Sequence, residues 1–322
     1  MEDKLVAVIN EMAGFLDATQ LRKLQEVMLK YFTDNSTKRE TITNDGYLKL
    51  FLDAKSIEGC SERTITYYHS TIDHFIDSIS EPVRTVPAET IRAYLADYQK
   101  RSKCSKVTVD NIRRNISSFF SWLEEEDYIL KSPMRRIHKI KTAKVVKQII
   151  SDESIEILRD GCSQPRDLAI IDLLYSTGMR VGELVNLNIA DINFEQRECI
   201  VFGKGDKERR VYFDAKTKIH LQNYLKIRSD DNPALFVTLN APHRRLKISG
   251  VEIRLRELGR KNNLERIHPH KFRRTMATRA IDKGMPIEQV QKILGHSQID
   301  TTMQYAIVNQ NNVKASHQKF IS

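Results

Sequence analysis

The sequence predicts a mainly α protein of two domains, with one small antiparallel sheet confined to the C-terminal part. Three observations carry this. Apolar residues recur at helical spacing through residues 45–130 and no segment there alternates with period two. A single stretch, CIVFGKGDKERRVYF over 199–213, reads as two strands around a Gly205-Asp206 turn. A chain of 322 residues is long enough for two cores.

The elements follow in order. Residues 1–34 form a helical extension: Leu21, Leu24, Val27, Met28 and Tyr31 lie on one helical face, and Asp17 with Gln20 suits a cap. A polar linker, TDNSTKRET, comes next. Residues 45–140 form an all-α domain. Its first helix covers GYLKLFLDAK. A second follows Ser61, with Ile65, Tyr68, Ile72, Phe75 and Ile76 inward. A third covers ETIRAYLADYQKR. A fourth starts near Ser105 and carries Val109, Ile112, Ile116, Phe119, Phe120 and Leu123. A basic linker over 141–150 leads into the second domain, 151–322. There RDLAIIDLLYSTG ends at Gly178, a left-handed cap. Beyond the hairpin, Ser249 with Glu252 suits a capping box, KFRRTMATRAID stops at Gly284, and the next helix stops at Gly295.

Composition narrows the function. The net charge of +10 implies a polyanionic partner. Part of it lies in the tract 131–150, where Lys131, Arg135, Arg136, Lys139, Lys141, Lys144 and Lys147 occur without an acid, as suits a strap along a phosphate backbone. Cys60, Cys104, Cys162 and Cys199 form no CxxC pair, which argues against a zinc site and for reduced thiols. The acidic start MEDKLVAVINE lacks secretory character and no apolar run is long enough for a bilayer, so a cytoplasmic, nucleoid-associated protein without membrane contact is expected. No GxxxxGK[ST], HExxH or paired carboxylate pattern appears, so neither ATP nor a metal is expected as cofactor.

The C-terminal part carries the chemistry. Arg180, Lys204, His270, Arg273, His296 and Tyr305 occur in that order. Attack on a phosphodiester loads charge onto its nonbridging oxygens, and arginine forks answer that charge. Arg180 and Arg273 are the candidate clamp. Tyr305 is the candidate nucleophile; with a phenol pKa of about 10, roughly one in a thousand is ionised at neutral pH, so it needs help. His270 is placed to assist its proton, Lys204 to protonate the leaving 5′ oxygen, and His296 to bond a phosphate oxygen.

These residues, with the flanks TGMRVGEL, GKGDKER, HKFRRTMAT and LGHS, resemble the signature of the tyrosine recombinase (phage integrase) family. The resemblance spans about 45–310. It implies an all-α SAM-like core-binding domain followed by an α+β catalytic domain. It further implies double-stranded DNA with a specific recombination site as partner, a homotetramer, a 3′-phosphotyrosyl intermediate, a Holliday junction, and a C-shaped clamp around DNA. Accessory DNA-binding proteins are compatible with it. The helical extension departs from the β-sheet arm-binding domain of larger integrases and gives an Xer-like layout. Arg274 stands where the family often has a second histidine. The roles left open are integration or excision of a mobile element, inversion, and Xer-like dimer resolution. A type IB topoisomerase-like nicking and closing enzyme and a non-catalytic architectural protein are further alternatives. Candidate DNA contacts are Arg63, Thr64, Lys106, Asn111, Arg113, Arg114, Arg135, Arg136, Lys139, Lys141, Arg244, Arg245 and Lys247, for all of which a solvated surface is the rival reading.

Overall fold

The computed structural model describes residues 2–32, 42–142, 148–203, 208–264 and 266–305. The chain divides into two compact units, Met1–Lys144 and Val145–Ser322.

The first unit is all helical. The extension is two helices rather than one: α1, Glu2–Met12, and α2, Ala18–Phe32. The break falls where Asp17 caps α2, its Oδ1 accepting from the Thr19 and Gln20 amides at 2.9 Å each while the Gln20 side chain accepts from the Asp17 amide at 3.1 Å. Four helices then build the core: α3, Asn44–Ile57; α4, Glu62–Ile76; α5, Ala88–Ser102; and α6, Lys106–Glu125. Ser61 and Ser105 start α4 and α6 in the same way, each hydroxyl accepting from the amide three residues on. The apolar faces meet around Phe51, Phe75, Phe119 and Phe120, all fully buried. Phe51 packs edge-on against Tyr68, Phe119 and Trp122, the arrangement favoured by ring quadrupoles. The front of the basic tract is folded onto this unit. Pro133–Arg136 is a 3-10 turn that buries Met134, and the Ile140 amide donates to Asp110 at 3.0 Å.

The second unit has its own core. It begins with α7, Asp152–Asp160, and α8, Pro165–Thr177. Helix α8 is buried on most sides, so its two acids have partners: Asp167 takes Arg166 and Arg254, and Asp172 takes Arg159 and His220. After α9, Val181–Asn186, come β1, Ile192–Asn193, β2, Glu198–Phe202, and β3, Glu208–Tyr212. They form an antiparallel sheet in the order β1-β2-β3, with Val201 opposite Arg209. The expected hairpin is β2 and β3; its Gly205-Asp206 turn lies outside the described residues. Strand β1, too short to show a period in sequence, is an addition. Then follow α10, Ala215–Lys226; α11, Ile248–Lys261; α12, Pro269–Asp282; α13, Ile287–Leu294; and α14, Ile299–Met303. The capping box expected at Ser249 is not formed. Helix α11 starts after Lys247, which makes no side-chain cap bond, and Ser249 lies within the first turn. Residues 148–150 are not free linker: Ile150 is buried and its amide donates to Thr275 on α12 at 2.9 Å. Among the described residues no helix is long and apolar enough to cross a membrane.

Candidate active site

Two helix ends make the site. Helices α8 and α13 each stop at a left-handed glycine, Gly178 at φ 61° and Gly295 at φ 65°. The last carbonyls of a helix have no partner within it, so they seek donors. Here arginines supply them. Three successive carbonyls at the end of α13 each take a different guanidinium: Ile293 O accepts from Arg209 at 2.8 Å, Leu294 O from Arg273 at 2.6 Å, and Gly295 O from Arg180 at 3.4 Å. Arg273 also donates to Gly178 O at 2.7 Å. The three arginines meet at one place because one helix terminus collects them, and its partial negative charge favours them there.

Glu183 joins two of them from below. It is buried in the first turn of α9 and its carboxylate accepts four bonds: the Arg180 amide at 2.7 Å, Arg180 Nη1 at 2.9 Å, and Arg209 Nη1 and Nη2 at 2.7 Å each. Those donors, Arg209 foremost, hold the Glu183 carboxyl below its ordinary range against the opposing effect of burial. Burial first, then Arg180 and Arg209, press the Arg273 guanidinium down to about 10. The residue is buried at 3 % exposure, so it is a fixed group rather than a surface cation.

His296 stands just past Gly295. Its Nε2 lies 3.0 Å from Arg273 Nη2, and its Nδ1 lies 2.9 Å from Thr302 Oγ1. A guanidinium can only donate, so Nε2 accepts and Nδ1 carries the proton toward Thr302. Burial, then Arg273 and Arg180, push the imidazole down to about 4, so it is neutral at physiological pH. Tyr305 closes the set. Its ring stacks beside His296 at 6.0 Å between centroids, and its amide bonds Thr302 O at 2.9 Å. His270 is exposed on α12, one turn before Arg273; desolvation, then Arg273 and Arg180, lower its pKa. The structure therefore brings Arg180, Arg273, His296 and Tyr305 together, with His270 on the same helix as Arg273. Lys204 lies outside the described residues.

Residues 140–312 match the sequence profile of the Phage integrase family, and residues 47–130 match that of its N-terminal SAM-like domain. The chain belongs to the phage integrase family. It is a tyrosine recombinase, a site-specific recombinase by class. The tyrosine recombinase XerC of Leptospira interrogans serovar copenhageni is 32% identical over 284 residues, covering 84% of this chain and 91% of the relative. XerC of Oceanobacillus iheyensis is 29% identical over 290 residues, covering 85% and 95%. The integrase of transposon Tn1549, solved with a circular intermediate DNA, shares the fold at a TM-score of 0.70 and 20% identity, over 85% of this chain and 98% of that one.

Two residues of the recombinase site escape a motif reading. Arg209 lies in the GKGDKER flank, where its alternation with buried Val211 hides it as an ordinary strand residue. Thr302 is fully buried beside the candidate nucleophile, and a threonine in a short polar run gives no sequence signal. The recombinase's Arg274, in place of a second histidine, donates to Gln148 O at 3.2 Å and so holds the incoming chain. The DNA-contact candidates divide by their partners. Arg63, Lys106, Lys139, Lys141, Arg244 and Lys247 are exposed. Arg135 and Arg114 are exposed but paired, with Glu124 and Asp110, and Arg136 is exposed with its carbonyl taken by Arg92. Thr64 bonds the Ser61 hydroxyl, and Asn111 is half-buried. Arg113 is mostly buried against Asp110, and Arg245 donates to Val185 O, Leu187 O and Asn188. Those last two side chains are committed to the fold.

Proposed function

We propose that this tyrosine recombinase cuts and rejoins double-stranded DNA at a specific site, with Tyr305 as nucleophile. The Tyr305 oxygen attacks the scissile phosphorus. Its proton leaves with help from His270, a 3′-phosphotyrosyl bond forms, and the bond to the 5′ oxygen breaks. Lys204 gives that oxygen its proton, releasing a 5′-hydroxyl. Arg180 and Arg273 meet the charge that grows on the nonbridging oxygens. His296, expected from sequence to bond a phosphate oxygen itself, has both ring nitrogens engaged, so it acts by holding Arg273 on one side while Thr302 fixes its tautomer on the other. The phosphotyrosyl bond conserves the energy of the broken one, so rejoining needs neither ATP nor a metal. Four copies acting through a Holliday junction complete the exchange.

The observation that carries this reading is the convergence of Arg180, Arg273 and His296 beside Tyr305. We assign the biological role to integration or excision of a mobile element, or to inversion. Xer-like resolution of chromosome or plasmid dimers is the second reading, favoured by XerC relatives that this chain covers over 91% and 95% of their length. The test is incubation with nicked duplexes from the gene's own surroundings in EDTA without ATP. A covalent adduct is expected with the native chain and not with Tyr305→Phe. Sequencing the trapped DNA separates the roles: element boundaries support the first, a single chromosomal or plasmid site the second. Binding without an adduct on any site would favour an architectural protein.

A further inference from the structure

We propose that Arg209 is a positioning residue for the reaction: it takes up Glu183 so that Arg180 keeps its charge for the phosphate, and it anchors the helix end that seats His296. This rests on the recombinase reading above.

The argument begins with a charge count. Arg180, Arg209 and Arg273 supply three cations and Glu183 one anion. With Arg209 present the group is doubly positive. Without it, Glu183 and Arg180 form a closed one-to-one pair, and only Arg273 keeps a free charge. A carboxylate beside a clamp arginine fixes its orientation but also neutralises it. A second guanidinium on the same carboxylate removes the neutralisation and keeps the orientation. Arg209 fits that task because its fork spans both Glu183 oxygens at 2.7 Å each, while its Nε reaches Ile293 O at 2.8 Å. Lysine has one nitrogen and cannot hold both groups in that geometry.

The mechanical link follows from the same three bonds. Ile293 lies in the last turn of α13, with Leu294 and Gly295 next and His296 after them. A Cβ on Gly295 would come within 2.8 Å of Arg209 Cδ, so the glycine backbone lies directly on the arginine stem. Arg209 also sits in β3, which opens right after the segment 204–207 that contains Lys204. It therefore ties β3, the strand that follows the segment holding Lys204, to the clamp. Its side chain is only 11% exposed, so it is held in place rather than offered to a ligand.

The test is single-turnover adduct formation on a nicked duplex that the native chain cleaves, with saturating protein. Arg209→Met should bind the duplex nearly as well as the native chain but form adduct roughly tenfold or more slowly. Adding Glu183→Gln should restore part of the loss, because an amide no longer neutralises Arg180. On a duplex whose scissile phosphate carries a methyl in place of one nonbridging oxygen, the difference between native and Arg209→Met should shrink, since less charge then develops for the clamp to meet. If Arg209→Met does not fold, as judged by its thermal transition, Arg209→Lys carries the same comparisons and should be slowed on the phosphodiester. A native rate in the variants overturns the proposal. So does a slowdown that is equal on both duplexes and undiminished by Glu183→Gln, which would mark Arg209 as structural only. Failure of the native chain to form an adduct on any duplex it binds sinks the recombinase reading and this proposal together; an adduct with indifferent variants sinks this one alone.

Discussion

Gly295 shows how much the site asks of single residues. It ends α13 in the left-handed region, its carbonyl faces Arg180, and its α carbon lies against Arg209. Gly295→Ala should therefore cost about 1–2 kcal/mol from backbone strain and displace the arginine as well. Urea unfolding and adduct rate measured on the same protein should both fall. His296 gives a pH dependence. The folded chain keeps it neutral down to about 4, whereas the unfolded chain protonates it near 6.5. Between those values the unfolded state binds the extra proton, so stability is full above about 6.5 and declines as pH falls toward 4. His268 and His270, also lowered, act in the same direction. Replacing His296 with Gln should flatten this slope in denaturation measured across that range; an unchanged slope would show that His296 is not held neutral. The candidates that the structure brings together were legible from chemistry: a tyrosine with two arginines and two histidines in order suits a phosphoryl-transfer site. The supports Arg209 and Thr302 were not, because nothing local marks a strand arginine or a buried threonine as belonging to a site.

Elements were read where period and caps agree. Helices α4 and α6 announce themselves through Ser61 and Ser105, since a serine hydroxyl satisfies an amide that the helix leaves open. Their apolar faces then dock around Phe51. Phe51→Ala removes a ring packed on all sides and should destabilise the first unit by about 3–5 kcal/mol, readable as a shift in the urea midpoint with the second unit unaffected. The elements misread are those where local signals conflict. The extension reads as one helix in sequence, although its apolar face, Leu21 to Tyr31, lies wholly in the second helix and Asp17 was already that helix's cap. Ser249 with Glu252 has the spacing of a capping box, yet the chain enters α11 two residues earlier, where burial of Leu246 and Val251 fixes the start. Tertiary packing outweighs a cap of about 1 kcal/mol.

At the scale of the molecule, each unit packs around a principal core of its own, which implies two cooperative units. A fragment ending at 142 and one starting at 148 should each give a sigmoidal urea transition of its own. A fragment from 148 keeps the bond between Ile150 and Thr275 that ties the chain entry to the site helix; starting the fragment after 150 should lower its midpoint.

The sequence by itself determined the class of fold, most of the longer helices, the two hairpin strands, and the ordered set of candidate residues, because periodicity, caps and side-chain chemistry are local properties. The short helices α7, α9 and α14 and the helix α10 were not read. The tertiary structure decided what holds that set in register. One helix end gathers three arginines that lie 115, 84 and 21 residues away from their carbonyl partners, and one buried carboxylate joins two of them. Such partnerships form only where folding brings unsatisfied carbonyls and a desolvated charge to the same place, and spacing along a chain does not encode that place.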